Sequence, residues 1–82
     1  MDTTTLTKPK TIKVLEGAFK DNNIRVNSTD LELARDIVTK CQQESWSAFK
    51  AATTICEELD IEMRINRTHI EQALIKNQIL NN

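Results

Sequence analysis

Between residues 29 and 59 an apolar or small residue returns every third or fourth position, and neither glycine nor proline interrupts the stretch. Leu31, Ala34, Val38, Cys41, Ser45, Ala48, Ala52, Ile55 and Leu59 mark the stripe, and Ile37, Phe49 and Cys56 widen it. That spacing puts one apolar face along a helix. It predicts a single rod of roughly eight turns at 3.6 residues per turn, where an average helix has roughly three. In a chain of 82 residues, two short flanking segments can cover only part of such a rod. The rest of its seam is expected to meet another molecule.

The flanks are shorter and better punctuated. Residues 1–8 are polar and threonine-rich and are expected to form a flexible arm, leaving 9–82 as a single domain. Pro9 suits a first helical turn, and Ile12, Leu15 and Phe19 follow at helical spacing, so helix one is expected over about 9–20. Gly17 inside it marks either a close helix contact or mere tolerance. Asp21-Asn22-Asn23 is a stop. Ile24-Arg25-Val26 alternates as a short extended segment, and Thr29 with Glu32 fits a capping box at the start of the rod. Beyond residues 60–62, Met63-Arg64-Ile65 again reads as extended, Asn66 as a cap, and a last helix is expected from about 67 to 80 with Ile70, Ala73 and Leu74 inward. One glycine and one proline in the whole chain argue against many tight turns, hence for an all-α fold.

An internal repeat connects these parts. The run from Ile24 to Glu32 (IRVNSTDLE) returns from Met63 to Glu71 (MRINRTHIE), with arginine, asparagine, threonine and glutamate in register. Each copy reads as strand, cap and helix start, and the two stand on either side of the rod. Short helix, long central helix and short helix, with two short loop-strands, is the plan of the histone fold; a plain three-helix bundle is the alternative. The chain resembles the centromere protein X family of histone-fold subunits, the partners of centromere protein S. The resemblance lies in Thr11-Ile12, Val14-Leu15 and Ala18-Phe19-Lys20-Asp21, then in Ile24 to Asn27 and Leu31-Glu32-Leu33. It resumes at Arg64-Ile65 and His69 to Leu74, so that it spans about residues 11–80. The centromere protein W family, also of very small histone-fold subunits, is its nearest competitor.

The resemblance implies a non-enzymatic subunit that pairs with another histone-fold protein as a heterodimer or a dimer of dimers. It further implies double-stranded DNA as ligand, a place in the nucleus on the chromosome and kinetochore, and a role in DNA repair beside a fork-remodelling translocase. Leu31, Ala34, Val38, Cys41, Trp46, Phe49, Ala52, Ile55, Ile70 and Leu74 are the expected partner interface. Trp46 lies off the main stripe, as an intrachain packing residue or as an anchor of the kind enriched at interfaces. In a crossed dimer Arg25 and Arg64 gather on one face, where guanidinium groups can grip phosphates without reading bases. Arg67, in the first turn of the last helix, opposes the helix dipole, a conflict that a phosphate or carboxylate relieves. Lys8, Lys10 and Lys13 add candidate phosphate contacts, with solubilising surface lysines as the plainer reading. A helical adaptor or inhibitor with no DNA role is the alternative function.

The formal net charge is −1, with acidic residues concentrated between 27 and 63 and the two ends mildly basic; such asymmetry is suggestive of polyanion contacts only at the ends. Glu57, Glu58, Asp60 and Glu62 fit a solvated helix end. His69 is expected as a surface or packing histidine. Cys41 and Cys56 lack metal-ligand spacing and read as buried thiols of a soluble intracellular protein. No nucleophile with a base, paired carboxylates or glycine-rich phosphate loop is legible, so no enzyme, cofactor, metal, small-molecule substrate or membrane span is expected.

Overall fold

A computed structural model describes residues 4–81, with side chains from residue 10 onward. The side chain of the candidate cation Lys8 and the first three residues of the expected arm lie outside that description. Four helices follow in order: α1 (Thr4–Asp21), α2 (Ser28–Glu44), α3 (Ala48–Glu58) and α4 (Met63–Lys76). The fold is all-helical, and the described residues include no strand.

The expected rod is two helices. α2 ends at Glu44 because Ser45 adopts a left-handed conformation (φ 58°). The Trp46 N–H then donates back to the Cys41 carbonyl at 2.8 Å, and the Ser45 N–H to the Gln42 carbonyl at 3.4 Å. This is the Schellman pattern, which satisfies the last carbonyls of a helix. Ser47 immediately caps α3, accepting the Lys50 N–H on its hydroxyl at 3.1 Å. Three residues therefore stop one helix and start the next without glycine or proline.

Every helix ends this way. Asn23, Ser45, Asp60 and Gln78 all take positive φ. After each comes an apolar residue, Ile24, Trp46, Ile61 or Ile79, whose N–H reaches back to Phe19, Cys41, Cys56 or Leu74 at 2.8–2.9 Å. A side chain in the left-handed region costs roughly 1–2 kcal/mol, less for asparagine and aspartate, so the stops at Ser45 and Gln78 carry a local cost that the packing beyond them offsets.

The beginnings also differ from expectation. α1 starts at Thr4, ahead of Pro9. The capping box at α2 is Asn27 with Asp30 rather than Thr29 with Glu32: the Asn27 side chain accepts the Asp30 N–H at 2.8 Å, and the Asp30 carboxylate accepts the Asn27 N–H at 3.3 Å. Ile24–Asn27 is irregular chain, whereas Met63-Arg64-Ile65 is the first turn of α4, with Glu62 rather than Asn66 at its cap. The two copies of the repeat thus adopt different structures. Glu62 accepts the Ile65 N–H and begins α4 where a strand was expected.

The helices close into a ring. Each packs on its neighbours in the chain, and α1 returns to pack on α4. Leu15 and Phe19 from α1, Val38 from α2, Ile55 from α3 and Ile70 and Leu74 from α4 are almost fully buried at its centre. α3 turns Ala48, Ala51 and Ala52 inward, all fully buried, and these small side chains let its neighbours approach closely. The segment after α4 turns under the α2–α3 corner. Leu80 is buried there, the Asn81 carbonyl accepts the Ala48 N–H at 2.7 Å, and the Ile79 carbonyl accepts from the Gln42 amide at 3.2 Å. One otherwise orphaned amide of the α3 N-terminus is thereby satisfied. Gly17 marks no close approach, since a Cβ there would meet nothing within 4 Å.

The ring corrects the expected exposed seam. Ala34, Val38, Cys41, Ala52, Ile55, Ile70 and Leu74 are buried inside the chain's own core, with Leu31 packed against them. Breaking the rod at Ser45 folds its two halves together, so the stripe faces itself and the flanking helices. Of the expected partner residues, only Trp46 and Phe49 stand exposed.

Candidate binding surface

The cations named as DNA contacts do not form one patch. Lys10 and Lys13 are exposed on α1, where Lys13 shares a shallow groove with Gly17, Asp21 and Lys76 between α1 and α4. Arg25 is exposed in the linker before α2 and borders a second groove with Glu16, Lys20 and Ile24. Arg64 is exposed in the first turn of α4 and borders neither groove. Arg67 is engaged within the chain: its guanidinium pairs with Glu71 one turn on and donates to the Thr68 hydroxyl at 3.2 Å. α4 begins at Met63, so Arg67 lies beyond the first turn where it was expected, and its bond to Glu71 is an ordinary i,i+4 pair.

A different grouping forms at the α2–α3 corner. Trp46 is 37% exposed and Phe49 50%. Trp46 follows the left-handed Ser45, and Phe49 lies in the first turn of α3. A cation stands over each ring. Lys50 Nζ lies 4.1 Å from the Trp46 ring centre, with Lys40 Nζ at 6.0 Å, and Arg67 Cζ lies 4.5 Å from that of Phe49. At such distances the ring quadrupole attracts the cation. Lys40 comes from α2, Lys50 from α3 and Arg67 from α4, so three helices contribute. An open groove continues the surface past Gln42, Ser45 and Ser47 to Asn81. Two part-exposed rings, with Lys40 and Lys50 beside one of them, suit a ligand that is both anionic and aromatic. The sequence signal was Trp46 off the stripe, with lysine six positions before it and four after; Arg67 was visible only as a separate candidate.

Neither cysteine is placed for nucleophilic work. Both are free and buried, and burial is the chief force lifting each thiol above its ordinary value near 9.0. Lys50 and Lys40 oppose this at Cys41; Arg67 opposes it at Cys56, while Glu62 and Glu57 reinforce it. A thiol that keeps its proton more tightly when folded contributes stability below the unfolded thiol value, and that contribution is lost as pH rises toward the folded one. The urea midpoint is therefore expected to hold steady below pH 9.0 and to fall above it. The alkaline fall should shrink in Cys56→Ala.

Among the described residues, no three of His, Cys, Asp and Glu are grouped to hold a metal ion, and no helix is long and apolar enough to cross a membrane. His69 is exposed on α4. No protein-family description, curated protein or solved structure matches the chain.

Proposed function

We propose that this chain is a non-enzymatic helical domain that binds nucleic acid, with Trp46 and Phe49 as stacking faces and Lys40 and Lys50 as the phosphate-facing cations. The carrying observation is the pair of exposed rings, each under a cation, on a domain whose other aromatic side chain, Phe19, is buried. Every base has a π-face, and stacking on an aromatic side chain is worth about 1–3 kcal/mol per base. Cations beside the rings add a salt-dependent attraction for the backbone. Bases are accessible to the rings in a single strand and hidden in a duplex, so the surface favours single-stranded over duplex ligands.

Trp46 is the sole tryptophan, so its emission reports directly on the surface. Titration with oligothymidylate at low salt is expected to quench Trp46, with affinity falling linearly on a log–log plot against salt. A base-free polyanion such as heparin is expected to bind without matching that quench. An unchanged emission at saturating oligonucleotide would defeat the proposal.

One observation favours a second reading, a histone-fold subunit that pairs with a protein of the same fold on chromosomal DNA. The stripe Cys41, Ser45, Ala48, Ala52 keeps its helical spacing across the α2–α3 break. A long central helix of the histone-fold kind requires that break to straighten in the presence of the partner. Co-expression with a centromere protein S-type subunit checks this: a stable heterodimer supports the pairing, and separate elution of the two chains removes it.

A further inference from the structure

We propose that Ser45–Ser47 is a hinge through which two copies of this chain exchange their α3–α4 hairpins, forming a dimer with two continuous α2–α3 rods. The inference is independent of nucleic-acid binding, and a failed oligonucleotide titration leaves its test untouched.

Three observations carry it. First, the chain divides at the turn into two hairpins, α1–α2 and α3–α4, which meet through the α1–α4 and α2–α3 contacts. Both contacts can re-form between chains if α3–α4 of one copy docks on α1–α2 of the other, so the core between the four helices is conserved and only the 79–81 segment under the corner must be re-seated. That is the condition for exchange of an identical element.

Second, the turn has the composition of a helix. Ser45 holds a left-handed conformation that a helix would relieve. If the turn becomes helical, the Trp46, Ser47 and Ala48 amides transfer to the Gln42, Gln43 and Glu44 carbonyls four residues back. The closed turn gives up in return the Trp46 bond to Cys41, the Ser47 cap and the Ala48 bond to Asn81. Lys50 remains one helical turn beyond Trp46 and can keep its place over the ring.

Third, a straightened chain cannot stay compact alone. The rod Ser28–Glu58 would be about 46 Å long at 1.5 Å per residue, whereas the longest extent of the closed molecule is 38 Å. Straightening pulls α3–α4 off α1–α2 and uncovers Val38, Ile55 and Leu74 together. The surface that fits the uncovered half is the corresponding half of a second copy, because the two halves pack on each other within one chain. The dimer would carry two Trp46 corners, giving a long ligand two attachment points and the avidity that follows.

The test shifts the hinge in both directions. In Ser45→Ala with Ser47→Ala, a strong helix former replaces the left-handed serine and the α3 cap is lost. Ser45→Gly relieves the left-handed conformation and weakens the helix alternative. Each protein is unfolded in urea, refolded over a range of concentrations and examined by light scattering on a sizing column, with hydrogen exchange of the dimer fraction. The double variant is expected to dimerise with a dissociation constant roughly tenfold or more below that of the wild type. Ser45→Gly is expected to shift the other way, and the 46–48 amides should exchange more slowly in the dimer than in the monomer. Equal dimerisation of all three proteins would overturn the proposal. So would a dimer whose 46–48 amides exchange as in the monomer, since that dimer is joined by outer faces. If the double variant does not refold, Ser45→Gly against wild type decides, and an unchanged dimer fraction between those two overturns the proposal equally.

Discussion

Phe19→Ala is expected to lower the free energy of unfolding by about 3–5 kcal/mol, the range for deleting a buried aromatic ring. Phe19 is 1% exposed and is the largest of the fully buried side chains. Its backbone carbonyl also accepts the Ile24 N–H that closes α1, so the ring and the helix stop occupy the same position. A domain of this size has about 4–12 kcal/mol in total at roughly 0.05–0.15 kcal/mol per residue. The substitution therefore removes a large share of the total. Urea unfolding followed by Trp46 emission measures it. Phe49→Ala is the internal contrast: half-exposed, it should change stability by well under the Phe19 value. Equal losses at the two positions would contradict the burial pattern and the four-helix ring with it.

Replacing the two exposed rings should do the reverse, sparing stability and removing binding. Trp46→Ala and Phe49→Ala are each expected to weaken single-stranded oligonucleotide binding about tenfold, the equivalent of 1.4 kcal/mol and within the range for one stacked base. The double variant should lose about a hundredfold if the rings contact different bases. Fluorescence anisotropy of a labelled oligonucleotide reads this without relying on the tryptophan. Phe49→Leu separates the causes, because leucine retains apolar contact and lacks a π-face. Lys50→Gln should reduce affinity and flatten the salt dependence, whereas the ring variants should leave that slope nearly unchanged. A ring variant that alters the slope as strongly as Lys50→Gln would show that the rings act by positioning cations.

Much of the fold was legible, and the misreading has a specific origin. Helices over the first, second and last parts of the chain follow from apolar spacing, and the inward residues Leu15, Phe19, Val38, Ile55, Ile70 and Leu74 were already identifiable. Periodicity could not show the stop at Ser45, because the stripe continues in phase across it. Glycine and proline are the usual helix stops, and this chain ends its helices with Asn23, Ser45, Asp60 and Gln78 instead. A usable signal was present: a polar residue able to turn left-handed, then an apolar residue, as in Asn23-Ile24 and Asp60-Ile61. Ser45-Trp46 matches it, and Ser47 directly afterwards is a cap. Reading Ser45 as a small member of the stripe made one rod from two helices and turned a self-covered core into an interface. The resemblance between Ile24–Glu32 and Met63–Glu71 misled for a related reason. Local residue types do not fix a helix start when a neighbour such as Glu62 can cap it earlier.

The binding surface was less legible because it is assembled from distant residues. Lys40, Trp46 and Lys50 are close in sequence, but Arg67 reaches Phe49 only through the packing of α4 on α3. Arg25 and Arg64, singled out by matching sequence contexts, have no structural equivalence.

The thread formed by Ile79, Leu80 and Asn81 ties the far end of the chain to the α2–α3 corner. Ala48 depends on the Asn81 carbonyl for its amide, and Gln42 on that of Ile79. Anything that pries this thread loose would leave α3 with a dangling donor at its first residue and loosen the platform under Trp46. The last few residues thus act as a clasp, and the grip of the aromatic corner is sensitive to events more than thirty positions away.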